Sequence, residues 1–305
     1  MTIGSDITAA EFVTIQNKAE SLLGPGSGPR GYNQTVLSSD VFSGNQIERE
    51  QWDLLKTDII NILYHQNGQV PNIVTVNRGD LIQYGAGHPN TNYNTLLETA
   101  IANKFQIAAS QSVLSSKGSA TYTGSWSSSA QFTLTVTFAT ADQGRYFFNS
   151  GGKIRITTNI SGGSGTAQYN SWFNFLNSTG IRSFGADTDP IVNYYTLTNS
   201  FQIYYQSSLS SPYSANNYRL EARTNVANNS TGTATVLTLR VTLTDGYVDP
   251  AVSPHTPSTV LPIDLVDGTL TISIEELKAS GIMVPSGTFS ITGPSAYSLS
   301  VITTS

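Results

Sequence analysis

The chain has 305 residues, a net charge of −5 and 11% charged residues, under half the roughly 25% of an ordinary soluble domain. It has no Cys, which excludes disulfides, thiolate zinc sites and cysteine nucleophiles, and its 38% hydrophobic and 10% aromatic residues exclude wholesale disorder. The negative balance argues against a nucleic-acid partner, and no apolar run reaches the roughly 18–20 residues of a membrane-spanning helix.

Residues 1–112 read as helices joined by extended arms. Met1–Asp6 has neither a basic start nor an apolar run, so no signal peptide is expected there. Thr8-Ala9-Ala10-Glu11 is a capping box, with Ile7 and Phe12 at the staple positions on either side of it. Ile7, Phe12, Ile15, Ala19 and Leu22 recur 40 residues on as Ile47, Trp52, Leu55, Ile59 and Ile62, with the same spacings of 5, 3, 4 and 3. The last four of each set share one helix face. The first helix stops at Gly24-Pro25-Gly26 and the second runs from about Glu48 to Tyr64, before Asn67-Gly68. A third, from about Tyr93 to Phe105, fits the repeat loosely. Phe12 and Trp52 are expected as equivalent buried anchors. Gln34–Leu37 and Asn72–Val76 read as extended, and Gly24–Gly31 as a Gly/Pro-rich arm that reaches toward a partner surface. Helices this short need such a surface, on this chain or on another copy.

Residues 113–246 read as an antiparallel β-sandwich of six to eight strands. The apolar period becomes 2: Phe132, Leu134, Val136 and Phe138 alternate with Thr133, Thr135 and Thr137. Gly152–Thr158, Ile191–Thr198, Phe201–Gln206, Tyr218–Asn225 and Thr233–Thr244 are further strands, separated by Gly- and Asn-rich turns. Tyr169, Trp172, Phe173 and Leu176 have helical spacing and end at Thr179-Gly180, so one short helix interrupts to close an end or face of the sheet. The 38 Ser, 37 Thr, 15 Tyr and 12 Phe of the chain suit a pleated, half-buried surface.

Residues 247–305 read as a third, small β-rich unit behind a stiff linker of Pro250, Pro254, Pro257 and Pro262. A hairpin is expected across Asp264–Val266, Asp267-Gly268 and Thr269–Ile274, then a helical turn at Glu275–Ser280 and strands at Phe289–Ile291 and Tyr297–Ile302. So small a core is expected to pack on a neighbour. Net charge runs −4 over residues 1–112, +4 over 113–243 and −5 over 244–305. Drift between solvated surfaces and complementary ends of copies both fit that division.

No constellation of catalytic residues stands out. His65 ends the second helix, where a polar or cationic group suits the dipole; His88 sits in the turn Gly87-His88-Pro89-Asn90 and His255 in the proline linker. There is no His-x-x-x-His pair and no Gly-x-Ser-x-Gly elbow. Gly151-Gly152-Lys153 lacks the Walker spacing and is followed by Ile154 in a strand. Asp187, Asp189, Asp245 and Asp249 are too few in either cluster for calcium and read as turn residues, as does Arg78-Gly79-Asp80. No enzyme activity, cofactor or metal is expected.

Tyr194, Tyr195, Tyr204, Tyr205, Tyr213 and Tyr218 fall within 25 residues. Adjacent residues of a strand face opposite ways, so part of this set is expected at the surface. Exposed rings there would stack on sugars or anchor a protein partner; alternatively they cover a subunit interface or fill the second face of the sheet.

The run Thr137–Ile156, centred on Arg145-Tyr146-Phe147-Phe148-Asn149-Ser150-Gly151-Gly152, resembles a segment of virion structural proteins of contractile-tailed bacteriophages, including those of cyanobacteria. Ile7-Thr8-Ala9-Ala10-Glu11-Phe12 resembles their helical openings, and Trp172 after a Gly/Ser-rich stretch also fits. The resemblance covers residues 1–200 and none is found after 245. It implies a particle component of tail, baseplate, fibre or neck, carried on the virion after assembly in the host cytoplasm. Its partners would be copies of itself and other virion proteins, with no nucleic acid and no membrane. The alternative is a carbohydrate- or receptor-binding module that meets host-surface glycan. Read as residues, Asp142-Gln143-Gly144 is a turn, Phe147 and Phe148 give one ring to each face of a strand, and Asn149–Gly152 closes a hairpin. That reading requires positive φ at Gly151 or Gly152 and points Arg145 and Arg155 outward.

Overall fold

Thr8 opens α1 (Ala9–Leu23): its hydroxyl accepts from the Glu11 N–H at 3.3 Å, and the Glu11 carboxylate accepts from the Thr8 N–H at 2.8 Å. The computed structural model describes residues 7–42, 44–77, 80, 87–248 and 266–304. Met1–Asp6, Arg78-Gly79, His255, Asp249, Asp264 and the four linker prolines lie outside the described residues. α2 (Arg49–Asn67) ends on Gly68, and α3 (Pro89–Ala102) starts and stops earlier than its apolar pattern indicated, because Pro89 opens the first turn and makes His88 an N-cap. Phe12 and Trp52 are fully buried and meet edge-on, with ring centroids 5.1 Å apart; Tyr93 of α3 meets Trp52 in the same way at 5.4 Å. The three helices therefore pack on one aromatic cluster inside this chain. Lys18 of α1 pairs with Glu98 of α3 at its rim.

The rest is mostly β. The strands are β1 (Ser112–Thr123), β2 (Ser129–Thr137), β3 (Lys153–Ser161), β4 (Arg182–Phe184), β5 (Gln202–Ser208), β6 (Asn217–Thr224), β7 (Val236–Thr244), β8 (Thr269–Ile282), β9 (Thr288–Ser290) and β10 (Ala296–Thr304). Two helices interrupt them, α4 (Ala141–Asn149) and α5 (Ala167–Thr179). All pairings among the described residues are antiparallel and give two five-stranded sheets. One has the order β1-β8-β3-β4 with β9 on β8; the other has β10-β2-β7-β6-β5. In β2 every second side chain, from Ala130 to Val136, is buried. Side chains bridge from one sheet to the other. The Thr158 and Tyr218 hydroxyls are 2.8 Å apart, Tyr297 donates to Glu276 at 2.6 Å, and Phe184 packs on Tyr204 at 5.1 Å. On α5, Trp172 packs on Trp126 and Phe175 on Tyr218.

Several expectations need correction. The tail is no separate unit: β8 lies between β1 and β3, and β10 edges the other sheet beside β2. The expected helical turn Glu275–Ser280 is the middle of β8, where Ile274 and Glu276 face inward in period 2. Ile191–Thr198 is a bend with a 3-10 turn over Tyr194–Thr196, because Asn193 caps that turn through the Tyr195 N–H. The segment Ala141–Asn149 is a helix and not one arm of a hairpin. Thr140 caps it through the Gln143 N–H at 3.1 Å, and the helix buries Phe147 and Phe148 together against Phe138, Phe184 and Tyr194. Gly151 does have positive φ, 84°, and a Cβ there would come within 2.8 Å of Ile107.

Candidate functional site

The chain leaves α1 at Gly24 and returns to it at once. Tyr32, Asn33 and Gln34 donate their N–H groups to Leu22, Gly24 and Leu23, each at 2.8 Å, and so satisfy carbonyls that the helix end leaves open. Between them, residues 24–31 form a closed loop, not an outstretched arm. Its closure depends on Gly31, at φ 99°, where a Cβ would lie 2.1 Å from the Pro25 carbonyl.

The loop turns four carbonyls toward the segment that carries the phage resemblance. Arg145 of α4 donates from Nη1 to Pro25 and Arg30, each at 2.9 Å. Asn149 donates from Nδ2 to Gly28, Arg30 and Gly31 at 2.9–3.2 Å. The Tyr195 hydroxyl donates to Gly28 at 3.0 Å and sits against Asn149 Oδ1. Asp142 orients the guanidinium by accepting from Nε at 3.1 Å and Nη2 at 3.0 Å, and Tyr146 stacks beneath it at 4.5 Å. Burial pushes the Tyr195 phenol well above its ordinary range, so it stays protonated as a donor. Arg145 is thus buried and internal, against the expectation that it points outward, because a cation can be enclosed where carbonyls and a carboxylate surround it. Arg155 is half-buried and pairs with Glu275 at 3.7 Å.

Two more buried ionisable groups pin the same region. His65 stacks flat on Phe289 with centroids 3.9 Å apart, beside Tyr32, and its Nε2 is 3.0 Å from the Ser150 carbonyl. That carbonyl can only accept, so Nε2 carries the proton and Nδ1, buried without a partner, is bare. Burial drives the imidazole down to about 3, against the Ser150 bond, which favours the charged form. His65 is therefore a neutral core group, not a cation on a helix dipole. Asp58 of α2 is fully buried and accepts from Leu37 N–H at 3.0 Å, Ser38 N–H at 2.8 Å and Ser38 Oγ at 2.6 Å; burial raises its carboxyl above the usual range. A second buried carboxylate, Glu276 of β8, accepts from Tyr297 and lies 3.3 Å from Lys117, which a bulge between Ser116 and Gly118 carries.

The six tyrosines do not form an exposed set. Tyr194, Tyr195, Tyr213 and Tyr218 are buried, and Tyr204 and Tyr205 are half-buried. Tyr194 and Tyr195 sit in a turn whose two rings both pack inward. Tyr213 packs on Tyr247 at 4.8 Å, and Tyr205 accepts from Arg182 at 2.9 Å while the guanidinium lies 3.8 Å from its ring. They are internal contacts and offer no glycan platform. Sequence reading missed Asn149, Asp58 and the place of Asn33. Asn33 is the one non-glycine with positive φ among the described residues, and the glycine-dense Gly24–Gly31 stretch was the available signal that a tight loop precedes it.

Asp187 pairs with Lys153 at 2.8 Å, and Asp189 accepts from Ile191 and Val192 N–H groups as a turn residue. Among the described residues no three His, Cys, Asp or Glu side chains gather, and no helix is long and apolar enough to cross a membrane. Arg145, Asn149 and Tyr195 thus form a clamp on the loop carbonyls, and beside it lies a cleft of about 280 Å³ that touches Asn33, Asp142, Tyr146, Ser290 and Thr292. No protein-family model, curated protein or solved structure matches this chain.

Proposed function

We propose that the chain is a structural, non-enzymatic subunit of a contractile-tailed phage particle, in tail, baseplate, fibre or neck, that assembles with copies of itself and with other virion proteins. The observation that carries this reading is the clamp. The segment with the phage resemblance, Arg145–Gly152, holds the loop after α1 by its carbonyls and joins the helices to the sheets as one block. A preformed block of this kind suits repeated stacking better than a mobile docking arm would. We further infer that the two sheets face each other as a sandwich, a reading supported by the Thr158–Tyr218 and Glu276–Tyr297 bonds between them. The 40-residue repeat is supported by the buried Phe12–Trp52 pair.

Exposed apolar side chains support self-assembly. Val113 and Leu114 on β1 and Ile282 at the end of its neighbour β8 are 44–55% exposed, and β1 is an edge strand of its sheet among the described residues, an edge that another copy could extend. Analytical ultracentrifugation and electron microscopy of the purified chain test this. A symmetric ring, tube or trimeric fibre at micromolar concentration is expected, and Val113→Lys with Leu114→Lys should dissociate it. A monomer at every concentration, with no binding to virion proteins, overturns the reading.

A further inference from the structure

We propose that the cleft beside the clamp binds a neutral saccharide of one or two rings, a reading that does not depend on the virion assignment. Three segments distant in sequence converge there: Asn33 after the loop, Asp142 and Tyr146 on α4, and Ser290 and Thr292 at the end of β9 and just beyond it. The volume, about 280 Å³, lies at the low end of small-molecule sites and suits a ligand of that size.

The chemistry of the lining selects the class. The side chains of Asn33, Tyr146, Ser290 and Thr292 make no hydrogen bond to a described residue, so an amide and three hydroxyls are open to a ligand. Gln143 also lines the cleft but is not open: its Oε1 accepts from the Ala139 N–H and its Nε2 donates to the Gly293 carbonyl at 2.8 Å. The Asp142 charge is matched by Arg145 through one oxygen, Oδ1, and leaves Oδ2 as an acceptor without net charge in the site. Neither an anion nor a cation finds an uncompensated partner. A polyhydroxylated ligand can donate to Asp142 Oδ2, accept from Asn33 Nδ2, and lay the C–H face of a pyranose on the face of the Tyr146 ring opposite the Arg145 guanidinium.

Asn33 permits a clean test. Its φ of 53° is one that glycine adopts freely, so Asn33→Gly removes the amide and keeps the loop. Thr292→Val removes a hydroxyl at constant shape, and Tyr146→Phe keeps the ring while Tyr146→Ala removes it. The full chain is titrated by saturation-transfer NMR with glucose, galactose, mannose, N-acetylglucosamine, maltose, lactose and chitobiose. At least one should bind with millimolar affinity or better. Asn33→Gly and Thr292→Val should each weaken it about threefold to tenfold, Tyr146→Ala at least tenfold, and Tyr146→Phe less than Tyr146→Ala. Ser171→Ala, in a separate cleft beside Phe175, should leave affinity unchanged. No binding by any of the seven sugars overturns the proposal, as does binding that stays within twofold in both Asn33→Gly and Tyr146→Ala.

Discussion

Acid should weaken this fold through His65 in a way that can be isolated. The imidazole titrates near 6.5 in an unfolded chain, while burial holds it at about 3 in the native one. Below pH 6.5 the unfolded state therefore binds a proton that the native state refuses, and stability falls as pH falls. The loss is about 1.4 kcal/mol per pH unit below 6.5, or about 2 kcal/mol by pH 5. For a chain of this size that corresponds to roughly 3 °C in melting temperature. The comparison is with His65→Phe, which keeps a ring against Phe289 but abandons the Ser150 carbonyl, so it should melt lower at pH 7.5 by a few degrees. The other histidines and the carboxylates titrate alike in both proteins. The two melting curves should therefore converge between pH 7 and pH 5, by about 3 °C in differential scanning calorimetry. Melting temperatures that stay parallel across that range would mean that His65 protonates in the native state, and would refute its sealed, neutral burial.

Trp52→Ala should cost about 3–5 kcal/mol, read by urea denaturation, because it empties the centre of the aromatic cluster that Phe12 and Tyr93 share. Asp58→Ala should cost about 2–3 kcal/mol by the same assay, since it strands the Leu37 and Ser38 N–H groups; a change below about 0.5 kcal/mol would mean that water replaces the carboxylate. Arg145→Met should free the loop at residues 24–31 and speed tryptic cleavage after Arg30 at least tenfold, with Asn149→Ala giving a smaller increase. Equal cleavage rates in wild type and Arg145→Met would show that the loop holds itself closed.

How much was legible followed the range of the forces involved. The cap at Thr8–Glu11, the stop at Gly68, the alternation of Phe132–Val136 and the helix ending at Gly180 are set by residues a few positions apart, and pattern reading finds them. α4 was misread because its nine residues hold too few turns for a clear period and because Phe147 and Phe148 are both enclosed by partners from elsewhere. The fate of Arg145 was out of reach: its carbonyl partners lie 115 and 120 residues away, and nothing near it in sequence distinguishes a buried guanidinium from a solvated one. The tyrosine reading failed at its premise, since Tyr194-Tyr195 lies in a turn where the two-residue alternation does not operate.

The place of β8 makes the fold depend on its last residues. Strands β1 and β3 never pair with each other; β8 lies between them and supplies both their backbone bonds and part of the core. Leu270, Ile272 and Ile274 are buried from that strand alone, worth about 1.5–3 kcal/mol each, and their removal would also expose Ile154, Ile156 and Ile160 of β3. Together these come to about 9–18 kcal/mol, as large as the 5–15 kcal/mol by which a domain is ordinarily stable. Truncation at residue 248 should therefore abolish cooperative melting and leave an aggregation-prone chain, even though β2, β5, β6 and β7 can still pair. Circular dichroism and calorimetry of residues 1–248 beside the full chain measure it. A cooperative transition within about 10 °C of the full chain would mean that β1 and β3 close on each other without β8, and the strand would then be a late addition and not the centre of its sheet.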